Sequence, residues 1–240
     1  MSFFEKIFGK LKSKSVEDLN SKKDSKDDEV CVGPVITIAR EFGSGGREIA
    51  IEVAKKLGIK FYDKERIVNV AKDSGVDVEL FNQIDEKSMD KFWFTVSKMA
   101  YDIPNDSDSF EQKVNNDKMF MIQSDTIRML EKKGSAVFVG RCASYILKNS
   151  AIKVFISANF EDRVKRIVNR YNVKKDEAEK LIKVADEKRE KYYDYYTNSK
   201  WNDVKNYDLV INVSDVGIDG AVEKICEYYN VHKQKIDIKQ

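Results

Sequence analysis

The chain has 240 residues, and its 43 Lys and Arg against 41 Asp and Glu give a formal net charge of +2. This near balance excludes a strongly basic nucleic-acid binder, so we expect no nucleic acid as partner. The length suffices for one full core plus a lobe or tail, and no apolar run approaches membrane-spanning length.

Cysteine and histidine usage limits the chemistry. Cys31, Cys142 and Cys226 are widely spaced and form no C-x-x-C pair, which predicts reduced thiols in a cytoplasmic protein and no zinc site. His232 is the only histidine, so a His-based triad or metal cluster is excluded. We expect His232 to be a solvated surface residue, and any catalysis to rely on Arg, Lys, Asp and Glu.

The N-terminal residues 1–32 separate from the rest by composition. One helical face is apolar and lysines surround it, the apolar residues being Phe3, Phe4, Ile7, Phe8 and Leu11. Such a face suits weak contact with a membrane surface or a protein partner, or packing on its own domain. Residues 13–28 are mostly Ser, Lys, Asp and Glu and predict a flexible linker. We place the domain at residues 33–232 and a tail at 233–240.

An apolar run at residues 35–39 leads directly into a glycine cluster and then a helix. Glycines can adopt positive φ and turn backbone N–H groups toward an anion, and the helix N-terminus adds its dipole. The sequence therefore predicts a polyphosphate-binding loop, formed by Gly43, Ser44, Gly45, Gly46, Arg47 and Glu48. The alternative is a strand-to-helix turn without a ligand.

This loop departs from the G-x-x-x-x-G-K-[ST] pattern. With Gly46 as the second glycine, Glu41 occupies the first glycine position, Arg47 the lysine position and Glu48 the position of the Mg²⁺-binding hydroxyl. Arginine keeps the charge that a phosphate needs. Glu48 either binds Mg²⁺, directly or through water, or pairs with an arginine.

Strand and helix alternate along the rest of the chain. Apolar runs predict strands at residues 35–39, 60–62, 136–140, 152–158 and 209–213, as in a sheet buried on both faces. A stripe from Ile218 to Tyr229 predicts the last helix. Residues 73–134 predict a helical insertion. Together, these strands and helices predict a parallel α/β sandwich that binds its ligands at the carboxyl ends of the strands.

Charged residues recur at helical spacing after the fourth of these strands. Arg163, Arg166 and Arg170 share one face, which predicts either an anion among them or a solvated charged surface. Asp186 and Arg189 lie at i, i+3 on a helix predicted to begin near Lys175. Together they suit the ribose and phosphate of a nucleoside monophosphate, or form an intrahelical ion pair.

Several motifs follow one another in order: Arg40-Glu41-Phe42-Gly43-Ser44-Gly45-Gly46-Arg47-Glu48, Phe61-Tyr62-Asp63-Lys64-Glu65, Val139-Gly140-Arg141-Cys142-Ala143, Lys153-Val154-Phe155-Ile156 with Arg163 and Arg166, Asp186-Glu187-Lys188-Arg189, and Tyr207-Asp208-Leu209-Val210-Ile211-Asn212. In their order over residues 35–229 they resemble the cytidylate kinase-like family of P-loop nucleoside monophosphate kinases. The resemblance implies a three-layer P-loop kinase fold with an Arg-bearing lid at about residues 163–190.

The resemblance also implies roles for individual residues. Gly43 to Arg47 would hold the phosphates of Mg-ATP, with Arg47, Arg163, Arg166 and Arg170 acting on the transferred phosphoryl group. Asp63, Arg141, Asp186 and Arg189 would bind the acceptor, with CMP or dCMP expected. Cys142 stands where cytidylate kinases carry an Asp, which bears on the acceptor base. A second hypothesis is a non-catalytic nucleotide-sensing module that residues 1–32 tether to a membrane or partner.

Overall fold

The fold is built on one parallel sheet. The structure is a computed structural model that describes residues 33–73 and 110–237. In this part of the chain, five strands pair in the order β2-β3-β1-β4-β5, and every pairing is parallel. The strands are β1 Val35–Arg40, β2 Lys60–Tyr62, β3 Ala136–Val139, β4 Ala151–Ser157 and β5 Leu209–Asn212. The five predicted strands are all present: β2 has the predicted ends, and the ends of the other four differ from the prediction by at most one residue.

Helices connect the strands. They are α1 Gly46–Leu57, α2 Lys64–Asp73, α3 Phe110–Glu131, α4 Ala143–Ile146, α5 Phe160–Tyr171, α6 Lys175–Thr197 and α7 Val213–Asp237. Gly217 interrupts α7 with non-helical backbone angles of φ 72° and ψ 175°. α6 begins at the predicted Lys175.

Helices cover both faces of the sheet. Ile36 and Ile38 point to one side, where they pack with residues of α1 and α7. Val35 and Phe138 point to the other side, among residues of α2, α3 and α4. Strands buried on both faces must be apolar at every position rather than at alternate ones. The predicted α/β three-layer sandwich is therefore confirmed.

The helices α5 and α6 form a further small core beside the sheet. It contains residues of both helices, such as Val164, Ile167 and Ile182, and it also includes Phe42 from the glycine cluster. Phe42 is only 8% exposed. The loop is thus anchored in the core of the helix pair that carries the predicted lid arginines.

Some sequence predictions fall outside the described residues. These include the apolar face and linker of residues 1–32 and the part of the predicted insertion at residues 74–109. Among the described helices, none combines the length and apolar character needed to cross a bilayer.

The end of the domain differs from expectation. α7 continues past His232, where the tail was predicted to follow, to Asp237. His232 is half-buried: its Nδ1 lies 2.9 Å from the Tyr228 carbonyl oxygen, and its ring stacks on that of Tyr228.

Candidate active site

The glycine loop lies at the carboxyl end of β1, the central strand. Gly43 and Gly45 adopt φ of 82° and 86°, a region that side-chain-bearing residues disfavour. A Cβ added at Gly45 would lie 2.6 Å from Ile218 Cδ1, and one at Gly46 would lie 2.6 Å from Arg40 Cβ. Positive φ therefore favours glycine at Gly43 and Gly45, and the contact with Arg40 Cβ, an atom that cannot swing away, favours glycine at Gly46. α1 begins at Gly46, so its N-terminal dipole faces the loop.

Two side chains from α6 hold the backbone where β1 enters the loop. Arg189 Nη1 donates to the Arg40 carbonyl oxygen at 3.0 Å, and the Phe42 N–H donates to Asp186 Oδ1 at 2.7 Å. Arg189 also lies 3.4 Å from Asp186 Oδ1, so the intrahelical ion pair is present. Asp186 and Arg189 therefore pair with each other and also hydrogen-bond the backbone where β1 leads into the loop.

Two arginines from α5 hold the next part of the loop. Arg163 Nη1 donates to the Phe42 carbonyl oxygen at 3.4 Å and to Asp186 Oδ2. Arg166 Nη1 donates to the Gly43 carbonyl oxygen at 2.8 Å. Arg163 is only 8% exposed, and a buried guanidinium needs such partners to offset its lost hydration. In this conformation Arg163 contacts the loop backbone and not an open cleft.

Arg47 points toward β2. Its Nη2 lies 2.8 Å from Asp63 Oδ2, and its guanidinium carbon lies 5.8 Å from the centre of the Phe61 ring. Arg66 lies beside this group, because its backbone N–H donates to Asp63 Oδ1 at 3.2 Å and its side-chain Nη1 donates to the Phe61 carbonyl oxygen at 3.1 Å. The Arg47 side chain is 42% exposed, so it lies within reach of an incoming anion.

Glu48 pairs with an arginine. Its Oε1 lies 2.8 Å from Arg170 Nη1, and both side chains are about half exposed. Glu48 and Arg170 line a cleft of about 630 Å³, and Arg166, Asp162 and Ser214 line the same cleft. From the sequence, the partner of Glu48 could be either Mg²⁺ or an arginine, and in this structure it is Arg170. A carboxylate at this exposed place still has the oxygen chemistry that Mg²⁺ prefers.

Arg141 follows β3 at the same edge of the sheet as Asp63, which follows the neighbouring β2. Arg141 and Cys142 both have positive φ, 56° and 53°, and the Arg141 guanidinium lies 5.8 Å from the centre of the Tyr192 ring. Burial raises the pKa of the Cys142 thiol far above its usual range. Cys142 packs in a buried cluster that includes Tyr192 and Trp201.

Three residues of this site were not predicted to have roles. Glu41 and Phe42 contact the elements around the loop, and Arg66 contacts Asp63. The large aromatic Phe42 inside a glycine cluster was a usable signal, because such a residue must be buried somewhere. Arg66 lies one helical turn after Asp63, which is a weaker indication.

Known proteins resemble this chain over most of its length. The sequence profile of the cytidylate kinase-like family matches residues 35–215. A cytidylate kinase from Archaeoglobus fulgidus is 28% identical over 209 residues, covering 85% of this chain and 99% of that protein. A cytidylate kinase from Thermoplasma volcanium is 30% identical over 184 residues, covering 74% of this chain and 81% of that protein.

One solved structure is also similar. It is an uncharacterized protein from Eubacterium ventriosum, with a TM-score of 0.60 and 29% sequence identity, and the match covers 82% of this chain and 98% of that one. Because the family profile spans most of the chain, including the glycine loop and the helices that hold it, the chain belongs to the cytidylate kinase-like family.

Proposed function

We propose that the protein transfers the terminal phosphoryl group of Mg-ATP to a nucleoside monophosphate, with CMP or dCMP as the leading acceptor. The observation that carries this proposal is the placement of arginines on both sides of the glycine loop. Arg47 lies toward β2, and Arg166 and Arg170 approach from α5. A phosphoryl group passing between two nucleotides needs cationic groups along its whole path.

The donor would bind at the loop and in the adjoining cleft. Backbone N–H groups from Gly43 to Arg47 would hold its phosphates. The 630 Å³ cleft beside Arg166 and Arg170 has room for the sugar and base. Glu48 would face the Mg²⁺ that accompanies ATP, and that ion would neutralise part of the phosphate charge. For this, Glu48 has to release Arg170, which then turns to the phosphates.

The acceptor would bind at the edge where β2 and β3 end. Asp63 and Arg141 line this edge, and Arg66 adds a cation for the acceptor phosphate. Asp186 and Arg189 would complete the acceptor site from α6 while they also hold the loop. CMP is the leading acceptor because of the cytidylate kinases among the relatives, although Cys142 replaces the Asp expected beside the base.

The chain's own residues then perform a direct in-line transfer without a covalent enzyme intermediate. Arg47 would stabilise the charge of the group in transit. Arg166 and Arg170 would do so from the donor side, and closure of α5 and α6 over the donor would exclude water as a competing acceptor. Arg163 would contribute mainly by holding the loop. We also propose a reducing cytoplasmic location, supported by Cys142 and Cys226, which are both free thiols.

A coupled assay for ADP release tests the proposal. The protein is given Mg-ATP with CMP, dCMP, UMP, AMP or GMP, and an Arg47→Ala variant purified in parallel reports contaminating kinases. Release of ADP that depends on one monophosphate and is lost in the variant supports the kinase. Binding of ATP without ADP release for any acceptor contradicts it and favours the nucleotide-sensing alternative.

A further inference from the structure

With Gly46 taken as the second glycine of the phosphate-binding pattern, Glu41 stands at the first glycine position, and its carboxylate makes contacts that no glycine can make. Its Oε2 accepts the Ala158 N–H at 3.0 Å and lies 3.7 Å from Arg163 Nε. Ala158 is the residue that follows β4. The carboxylate therefore joins the loop to the point where β4 leads into α5.

The ladder between β1 and β4 explains this contact. Arg40 pairs with Ile156, and the Glu41 N–H donates to the Ile156 carbonyl oxygen at 3.0 Å. In a continued parallel ladder the Ala158 N–H would donate next to the Glu41 backbone carbonyl. That carbonyl instead accepts from Ser44, whose Oγ lies 2.9 Å away. The Glu41 side chain thus takes the place of its own carbonyl.

This exchange has two consequences. The backbone at Glu41 is released from the sheet and turns into the loop, while the buried Ala158 N–H keeps an acceptor, as a buried donor must. The charge of Glu41 also faces Arg163, whose Nη1 binds Asp186 and the Phe42 carbonyl oxygen. One carboxylate therefore binds the residue that follows β4 and also places its charge beside the arginine that holds Phe42.

We propose that Glu41 is a positioning residue that holds the glycine loop in the shape that binds the donor triphosphate. Because this role rests on the proposed function, it is tested by binding and not by turnover alone. Calorimetric titration with Mg-ATP and, separately, with CMP gives a dissociation constant for each side of the site. Thermal melting of the same samples reports folding.

Two variants of Glu41 separate the contacts, and a third variant is the control. Glu41→Ala removes both contacts and should weaken Mg-ATP binding about tenfold, because it leaves the Ala158 N–H without its charged acceptor; CMP affinity should be unchanged. Glu41→Gln keeps an oxygen for the Ala158 N–H and loses the charge, so it should recover part of the lost affinity. Glu52→Gln on α1 is the control, since Glu52 is half exposed and contacts Lys55. It should bind as the native protein does.

The outcomes are distinct. Native Mg-ATP affinity in a folded Glu41→Ala variant overturns the proposal, as does an equal loss of Mg-ATP and CMP affinity, which would indicate general damage. If the alanine variant does not fold, the glutamine variant decides, and native Mg-ATP affinity in it is the overturning result. If the native protein binds Mg-ATP but phosphorylates no acceptor, the proposed function fails while the test of Glu41 remains readable.

Discussion

Arg47 is the residue whose substitution should separate chemistry from folding. Its guanidinium follows the glycine loop directly, and its pair with Asp63 is well exposed on the arginine side, so the pair should contribute at most about 1 kcal/mol to stability. Arg47→Ala should therefore lower turnover by about a hundredfold or more, as for loss of one preorganised cationic contact, with little change in Tm. Steady-state ADP release and thermal melting measure the two effects.

Two further variants sharpen this prediction. Arg47→Lys keeps the charge and loses the bidentate fork, so it should retain more activity than the alanine variant. Lys55→Ala, in the last turn of the same helix, removes a cation far from the loop and should leave turnover unchanged. Native turnover in Arg47→Ala would assign Arg47 to the surface and remove it from the site.

The described cysteines should be unreactive. Burial raises the pKa of Cys142 and of Cys226 above the ordinary 9.0 of a thiol. A raised pKa means that the neutral thiol persists as the pH rises, and only the thiolate attacks disulfide reagents. In a Cys31→Ser background, the folded protein should therefore react with a disulfide reagent much more slowly than the denatured protein does, both at pH 7 and at pH 9.

Denatured protein should label at both cysteines, and an added Glu52→Cys substitution on the exposed face of α1 should label quickly in the folded state. Rapid labelling of Cys142 in the folded protein would contradict its assignment as a packing residue. It would also reopen the question of what this residue does beside Arg141.

The turn between β1 and α1 depends on glycine for two separate reasons, which are its positive φ and the limited space beside it. Gly45 and Gly58 both have positive φ, 86° and 65°, but a Cβ at Gly58 would meet nothing within 4 Å, whereas one at Gly45 would overlap Ile218. Gly58→Ala should cost about 1 kcal/mol from backbone strain alone and leave Mg-ATP binding unchanged. Gly45→Ala should cost somewhat more and weaken Mg-ATP binding severalfold, because the new methyl group has to displace the end of the Ile218 side chain and crowds Arg166 Nη1, which lies 3.1 Å away.

Chemical denaturation and calorimetric titration of the two variants measure these effects. The matched pair matters because both substitutions impose the same kind of backbone strain. Equal stability losses together with native Mg-ATP affinity in Gly45→Ala would show that the loop does not need its close contact with α7.

The strands and helices could be predicted wherever residues close together in the sequence determine them. Apolar runs predicted the strands because a sheet covered on both faces admits few polar residues. The spacing of Arg163, Arg166 and Arg170 predicted that they share a face, and they do lie on α5. Their separate partners were not predictable. Phe42 meets Asp186 across 144 residues, and no local pattern records a contact of that separation.

The same limit applied to Glu41. Its sequence position indicated only that a glycine of the pattern is missing. Its actual role depends on the register between β1 and β4, which places the Ala158 N–H beside its carboxylate. Burial raises the pKa of this carboxyl, although Ala158 and Arg163 favour its charged form. Only the assembled sheet reveals that the substitution supplies a new contact.

At the scale of the whole molecule, the sheet order determines which elements can reach the loop. β1 is central, between β3 and β4, so its carboxyl end is open to β2 and β3 on one side and to α5 and α6 on the other. We propose that residues 33–232 form the catalytic unit around this edge. We therefore predict that neither strand pairing nor the loop depends on residues 1–32.

A chain that begins at Val32 should therefore fold and keep full activity. All the hydrogen bonds described for β1 and the loop join residues after position 33, so removing the preceding segment leaves their partners in place. Circular dichroism and ADP release, compared with the full chain, measure this. Binding of anionic vesicles by the full chain alone would support the apolar face of Phe3, Phe4, Ile7 and Phe8 as a surface anchor. Loss of folding or activity on truncation would instead place that face in the core of the domain and move its boundary to the first residues.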